Sequence, residues 1–396
     1  LIEGDSGSQQ TIVVARIAGI DTWRSPQADH RKGLRFIEDV KYCMPGVELI
    51  AQAHLNVKDD SYVLDHNWKG TLLFPFVFGL EAMTQAVVFL TGRQDVGALK
   101  VSDVHLDKPI PVNRDSGSKI EIHAEVLESK NIYEEIAVKV EIFSEHDNFN
   151  RPAFTAVIAI TEKEGIVRKD TTSCRLAEKT IDLDLEQDIY GRILFQGKSF
   201  HCISRVHELF YDEKKEKGEC VFTAESNKSA KEFLRQNKEF ANKFLIGDPF
   251  FIDSVLQSMQ LIIPQEISLP NFIEEIKLFP SSNSAKISNQ MVISNIKKIS
   301  SDFYEGHATG LNGSINIINI KNCRLKVLEH LPNNPSANDF VNPTQRDQKI
   351  IDNKVNELAR QFNIELPVIR CFYDARFNSA YKAERHKIET PLIKET

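Results

Sequence analysis

What this chain of 396 residues has little of narrows it first. It carries only two Trp, four Met and six Cys. The cysteines, at 43, 174, 202, 220, 323 and 371, form no CxxC pair and match no His at zinc-finger spacing. That argues against a zinc module and against a disulfide framework, and suggests reduced thiols of a cytoplasmic protein. Positive charge is not in surplus: 49 Lys and Arg stand against 56 Asp and Glu, a formal net charge of −7. A basic footprint for nucleic acid is therefore missing. No apolar run reaches the ~18 residues that span a bilayer, so no membrane partner is expected. A phosphate-cradling glycine loop, a GxSxG elbow and a metal-ligand cluster are also missing, so neither cofactor nor metal is expected. The opening "LIEGDSGSQQ" is polar and has no Met; it reads as the middle of something longer, not as a signal peptide.

What is present is ordinary globular composition, 41% hydrophobic and 27% charged, in a chain long enough for two or three domains. Residues 1–40 show no sustained periodicity. Alternation begins at "PGVELIAQAHLNV" (45–57), where every second residue from Val47 to Val57 is apolar, the pattern of a half-buried strand. "DHNWKG" follows at what looks like the end of an extended run. Phe76 to Leu90 is then helix-length and apolar nearly all round, which predicts a helix buried on most sides. Strand-like runs come next at 98–106, 119–128, 133–144 and 153–163. After an irregular charged stretch the same order returns: strands at 200–211 and 218–226, a polar helical segment at 229–244, an apolar helix at 246–264, and strands near 272–278, 287–298, 302–310 and 313–327. This is an α+β pattern, a sheet wrapped around a central helix, written twice with little sequence in common. A last helical segment is predicted at 348–362.

Each half carries an acid-base group near its apolar helix. In the first it is His66. In the second it is Asp253, within "GDPFFIDSVLQSM", where Asp248 is suited to cap a helix and Pro249 to open its first turn. Gln257, four residues after Asp253, shares its helix face. Phe250, Phe251, Ile252, Val255 and Leu256 crowd Asp253, and desolvation there favours the protonated acid. A neutral carboxylic acid near a histidine suits elimination or hydration. The plainer alternatives stay open: His66 as a surface or structural residue, Asp253 as a cap or a buried partner of Gln257, and Glu81 and Gln85 simply bonded to each other.

His66-x3-Gly70-x4-Pro75 resembles the HxxxGxxxxP motif of the dehydratase domains of polyketide and fatty acid synthases, and "GDPFFIDSVLQ" resembles their second motif. "YGRILFQGKSF" (190–200) is similar to the segment that opens their second half, with Lys198 where many relatives have Pro. "PGVELIAQAHL", "DHNWKGTLLFPFVFGLEAMTQA" and "LFQGKSF…GDPFFIDSVLQSMQLIIPQ" look like the branch of iterative synthases that make enediyne-type polyenes, and "LRFIEDV" (34–40) resembles the stretch that leaves their preceding ketoreductase. The resemblance implies a double hotdog, two helix-in-sheet units side by side. It implies a linker from a preceding domain at 1–40, hotdog units at 41–165 and 186–330 joined by a linker at 166–185, and a linker or the start of a next module at 331–396. The implied activity is dehydration of a β-hydroxyacyl thioester, with the substrate carried on the phosphopantetheine of an acyl carrier protein and no cofactor. His66 would take the α-proton and Asp253 would protonate the leaving hydroxyl. Gln257, Gly70 and Pro75 would support them, with N–H groups around Gly70 and the helix start polarising the carbonyl. Tyr62, Phe74, Phe78, Gly197, Phe200 and Pro249 would line the acyl channel. Expected partners are the carrier protein, met by Lys69 and Lys198, and neighbouring synthase domains with a ketoreductase upstream; a homodimer is left open. The competing expectations are a hotdog thioesterase using Glu81 and a product-template domain that shapes a chain without dehydrating it.

Overall fold

The computed structural model describes residues 33–93, 96–127, 136–161, 180–190, 192–226, 244–280, 290–332 and 334–362. The first half contributes β1 (Asp39–Met44), β2 (Glu48–Leu55), a small hairpin of β3 (Asn67–Trp68) and β4 (Thr71–Leu72), helix α1 (Phe76–Thr91), and strands β5 (Ala98–Leu106), β6 (Ser118–Val126), β7 (Ala137–Ser144) and β8 (Phe154–Thr161). The second half contributes β9 (Ile203–Asp212), β10 (Lys217–Ala224), helix α2 (Pro249–Leu261), and strands β11 (Glu266–Leu278), β12 (Gln290–Lys298), β13 (Phe303–Asn312) and β14 (Ile315–His330). Two further helices, α3 (Ala337–Phe340) and α4 (Pro343–Phe362), close the described chain. The helix predicted at 229–244 lies almost wholly outside the described residues.

The alternation read at 45–57 becomes β2, with Leu49, Ala51, Ala53 and Leu55 buried and the residues between them turned outward. Those buried side chains meet α1, which also packs against β6, β7 and β8. The helix is buried nearly all round because the sheet curls about it, as its lack of a polar face demands. Burying each Leu, Val or Phe there contributes roughly 1.5–3 kcal/mol against exposure. The second half repeats the plan, with α2 against β10, β11, β12 and β13. The two curled sheets are one: twelve strands run β1-β2-β6-β7-β8-β5-β11-β14-β13-β12-β10-β9. The antiparallel β5–β11 ladder, from His105 opposite Phe272 to Leu99 opposite Leu278, joins the halves. The result is the double hotdog that the sequence implies.

The packed body reaches further than the sequence boundaries suggested. Arg35, Phe36 and Ile37 are core residues, not linker: Phe36 N–H donates to Gln85 Oε1 at 2.8 Å, and the Arg35 guanidinium is buried against Asp60. At the other end α3 and α4 pack onto the second unit. Asn338 bonds both backbone groups of Tyr211. Arg346 is buried beside Asp188 and donates to the Asp182 carbonyl at 2.6 Å. Among the described residues no helix is long and apolar enough to cross a membrane.

Candidate active site

A cavity of about 450 Å³ lies between the units, and His66, Asp253 and Gln257 all line it. Most of its wall is apolar, with Trp68, Phe74, Phe76, Phe154 and Phe195 among the lining side chains. The fold therefore brings together the two groups that the sequence separates.

His66 does not end an extended run. It follows a 3-10 turn, Ser61–Asp65, and leads into the β3–β4 hairpin. Its Nδ1 lies 3.1 Å from the Leu73 carbonyl. A carbonyl can only accept, so Nδ1 carries the proton and Nε2 keeps a free lone pair. Phe195 and Phe200 flank the ring at 4.9 and 5.6 Å between centroids. This desolvation lowers its pKa from 6.5 to about 4, while the bond to Leu73 opposes the shift. The imidazole is neutral near pH 7 and can serve as a base.

Asp253 sits inside α2, and the start of that helix follows from the local sequence as read. The Asp248 side chain accepts from the N–H groups of Phe250 (2.9 Å) and Phe251 (3.3 Å), and Pro249 opens the first turn. Gln257 Nε2 donates to Asp253 Oδ2 at 2.7 Å. Burial raises the pKa of Asp253 from 3.8 to about 7, against the opposing effect of that hydrogen bond. The acid thus holds its proton well above the usual carboxylate range. Gln257 also lines the cavity, and its Oε1 is buried with no hydrogen-bond partner among the described residues. Tyr190 also stands near Asp253, and burial, with a smaller push from the Asp253 charge, raises its hydroxyl pKa.

The two smaller motif residues have geometric reasons. Lys69 (φ 48°) and Gly70 (φ 91°) form the two-residue turn of the β3–β4 hairpin, where both positions need the left-handed region. A Cβ on Gly70 would meet nothing within 4 Å, so the glycine is there for its backbone and not for space. Its N–H donates to Asn67 Oδ1 at 2.8 Å, and Gly70 is not on the cavity wall. That corrects the expectation that its N–H polarises a carbonyl. Pro75 is the N-cap of α1 in extended conformation and turns the chain into the helix.

The expected channel is only partly the observed one. Phe74 lines the cavity. Tyr62, Phe78, Gly197, Phe200 and Pro249 do not. Tyr62 and Phe78 are fully buried and stacked on each other at 3.5 Å, which is core packing. Phe200 is wedged between the rings of His66 and Phe250. Pro249 is used up in starting α2, and Gly197 packs on Asp65. The sequence reading missed Trp68, Phe76, Phe154 and Phe195 as wall; only the nearness of Trp68 and Phe76 to the motif hinted at them. Glu81 is buried away from the cavity. It accepts from Gln85 Nε2 and from the N–H groups of Leu245 (3.1 Å) and Ile246 (3.0 Å), so it braces the approach to α2. Lys69 is exposed but pairs with Glu329 at 2.7 Å, so its charge is already met.

Two family models match the chain. One described as a polyketide synthase dehydratase domain covers residues 43–145, and one described as a polyketide synthase dehydratase N-terminal domain covers residues 170–334. No curated protein matches it. Among solved structures, the dehydratase domain from the CurF module of curacin polyketide synthase is similar at 16% identity and TM-score 0.57, over 75% of this chain and 100% of that one. The dehydratase domain of PpsC from Mycobacterium tuberculosis, in complex with C12:1-CoA, is similar at 13% identity and TM-score 0.54, over 75% and 100%. An inactive His-to-Phe mutant of CurJ dehydratase, in complex with a compound, is similar at 13% identity and TM-score 0.53, over 75% and 97%. At these identities the likeness is one of fold.

Proposed function

We propose that the chain is a polyketide synthase dehydratase domain, as its matches over 43–145 and 170–334 support, and that its cavity removes water from a β-hydroxyacyl thioester to leave the α,β-unsaturated thioester. One observation carries this: a base and an acid, displaced in opposite directions by burial, line one cavity. His66 Nε2 takes the proton from Cα. The Cα–H electron pair forms the new double bond as the Cβ–O bond breaks. Asp253 gives its proton to the departing hydroxyl, which leaves as water. Return of the proton from the imidazolium to the carboxylate resets the site. Gln257, through the bond from its Nε2 to Asp253 Oδ2, holds the acid in its place on the cavity wall. The carbonyl is polarised from the start of α1: the Phe78 N–H is taken by the Pro75 carbonyl at 3.1 Å, but that of Phe76, the first helical residue and part of the cavity wall, has no intrahelical acceptor. In CurJ dehydratase a His-to-Phe mutant is inactive, in keeping with a base role for His66.

The acyl group rides on the phosphopantetheine of an acyl carrier protein within a larger synthase, and no cofactor takes part. The apolar, aromatic wall suits an unsaturated hydrocarbon chain, and the enediyne-like stretches around His66 and Asp253 support that branch. Lys198, exposed beside the Gly197 turn, and Lys69, exposed and paired with Glu329, are the two lysines offered to the carrier protein. A thioesterase reading loses its carboxylate, because Glu81 is spent on backbone N–H groups outside the cavity. Incubating the protein with a β-hydroxyacyl carrier protein and following the acyl mass tests the assignment. Loss of water supports it, loss of the acyl group means a thioesterase, and an unchanged mass means a template role.

A further inference from the structure

The reaction uses His66 and Asp253 but not Asp65, the residue just before the base. Asp65 ends the 3-10 turn, half-buried, and its carboxylate is engaged by the second unit. Oδ2 accepts the Ser199 N–H at 2.9 Å and also the Ser199 hydroxyl, from 134 positions away. The Asp65 backbone carbonyl accepts the Gly197 N–H at 2.6 Å. A Cβ on Gly197 would stand 2.5 Å from Asp65 Oδ1, so the approach requires glycine. Three hydrogen bonds from one turn of the second unit thus converge on one residue of the first. Bonds to an ionised carboxylate are about twice as strong as neutral ones.

The same turn also reaches both reacting groups. Phe195 and Phe200, on either side of it, flank the His66 ring. Phe200 then meets Phe250 at 5.1 Å, on α2 and one turn before Asp253. Of the other joins between the units, the β5–β11 ladder and the bonds of Glu81 to Leu245 and Ile246 lie away from the segment that carries His66, while the exposed Lys69–Glu329 pair and the Trp68–Phe195 contact reach only the hairpin that follows it. His66 joins a 3-10 turn to the β3–β4 hairpin with its backbone bonded to Val63 and Leu73, while its imidazole is held by the Leu73 carbonyl and the flanking rings of the second unit. A catalytic loop of this kind relies on a rigid neighbour for its position.

We propose that Asp65 and the Gly197–Ser199 turn form a clamp between the units that positions His66 against Asp253; this rests on the dehydration reading above. Asp65 and Ser199 are positioning residues, with no contact to substrate required. Releasing the clamp leaves the cavity and the acid in place but lets the base wander, and water then reaches the imidazole.

The test compares wild type with Asp65→Asn, Ser199→Ala, Ser199→Thr and the Asp65→Asn/Ser199→Ala double variant. With a β-hydroxyacyl N-acetylcysteamine thioester, Asp65→Asn and Ser199→Ala are each expected to lose about tenfold or more in kcat with KM little changed, the scale of a displaced catalytic group. The double variant should lose no more than the worse single one, since the two residues act as one unit. Ser199→Thr keeps the hydroxyl and should restore most of the rate. Independently of turnover, NMR titration of the His66 ring should move up from about 4 towards 6.5 in Asp65→Asn and Ser199→Ala. Additive losses, or an unmoved titration in variants that melt like wild type, overturn the clamp. If a variant fails to fold, the other single variant and Ser199→Thr carry the test. Absence of wild-type dehydration would instead remove the dehydration reading, and the titration would still decide whether the clamp holds His66.

Discussion

The two units share one architecture but hold their reacting groups by different means. Asp253 belongs to α2, so its position comes from the helix itself, and its partner Gln257 is four residues further along the same face. His66 lies off the helix of its unit, in a loop, and its contacts come from elsewhere: Leu73 across the hairpin, and Phe195 and Phe200 from the other unit. A helix carries its residues to their places; a loop must be held from outside. Burial then acts on both groups with opposite results. It disfavours the charged form, which pushes the base down and the acid up. Two near-repeats of one fold thereby supply two different chemical roles.

The largest expected effect strikes both units at once. His66→Ala should abolish dehydration, and Asp253→Asn should cost on the order of 10²-fold or more, the usual scale for a positioned acid. Steady-state rates on a β-hydroxyacyl substrate check this. Wild-type turnover in either variant would remove that residue from the reaction.

The next effect separates the units by pH. His66 is neutral above about 4 and Asp253 is protonated below about 7, so kcat should rise through the first value and fall through the second. Stability should shift in opposite directions. The folded pKa of His66 lies below its ordinary value, so its contribution is whole above about 6.5 and is lost as pH falls towards about 4. The folded pKa of Asp253 lies above its ordinary value, so its contribution is whole below about 3.8 and is lost as pH rises through about 7. Asp253→Asn should therefore melt higher than wild type at pH 8, and the gain should close as pH falls. His66→Asn should gain on wild type at acid pH instead. Melting curves that move the same way with pH for both variants would break the contrast.

A smaller effect concerns how the units are joined. Glu81→Leu strands the N–H groups of Leu245 and Ile246 and should destabilise by roughly 2–6 kcal/mol, at about 1–3 for each group left unpaired. Denaturant melts measure the loss, and kcat per folded molecule should stay near wild type. A selective fall in kcat would return Glu81 to the chemistry. The smallest effect lies in the hairpin. Gly70→Ala should cost on the order of 1 kcal/mol, because φ of 91° strains any Cβ residue while no atom obstructs the new methyl. Gly70→Asn should cost less, since Asn tolerates the left-handed region better. A large loss for both would point to a role beyond the turn.

Much of this was legible in the sequence where local rules dominate. The apolar run from Phe76 to Leu90 became α1, Phe76–Thr91, and the alternating run at 98–106 became β5 with the same bounds. Asp248 and Pro249 start α2 as their chemistry requires. Elements whose stability comes from distant contacts were not legible. β1 is an irregular edge strand with little burial. The β3–β4 hairpin is only two residues a side. The packing of α3 and α4 turns on Arg346 reaching Asp182 and Asp188 across the chain. The acyl-channel residues misled for a related reason: Tyr62 and Phe78 have the composition of a channel wall, but an aromatic side chain serves equally well as core.

The sequence by itself determined the elements and the kinds of chemistry available, because periodicity, caps and turn residues act within a few positions of themselves. It supplied a histidine, an acid with a glutamine one turn on, and an apolar setting for each. Only the tertiary structure decided that His66 and Asp253 line one cavity, that Glu81 braces rather than reacts, and that Asp65 is gripped by Ser199. Desolvation, which keeps the imidazole of His66 neutral and the carboxyl of Asp253 protonated, depends on what surrounds a group in space. That surrounding is assembled from both halves of the chain, and it exists only once they have folded against each other.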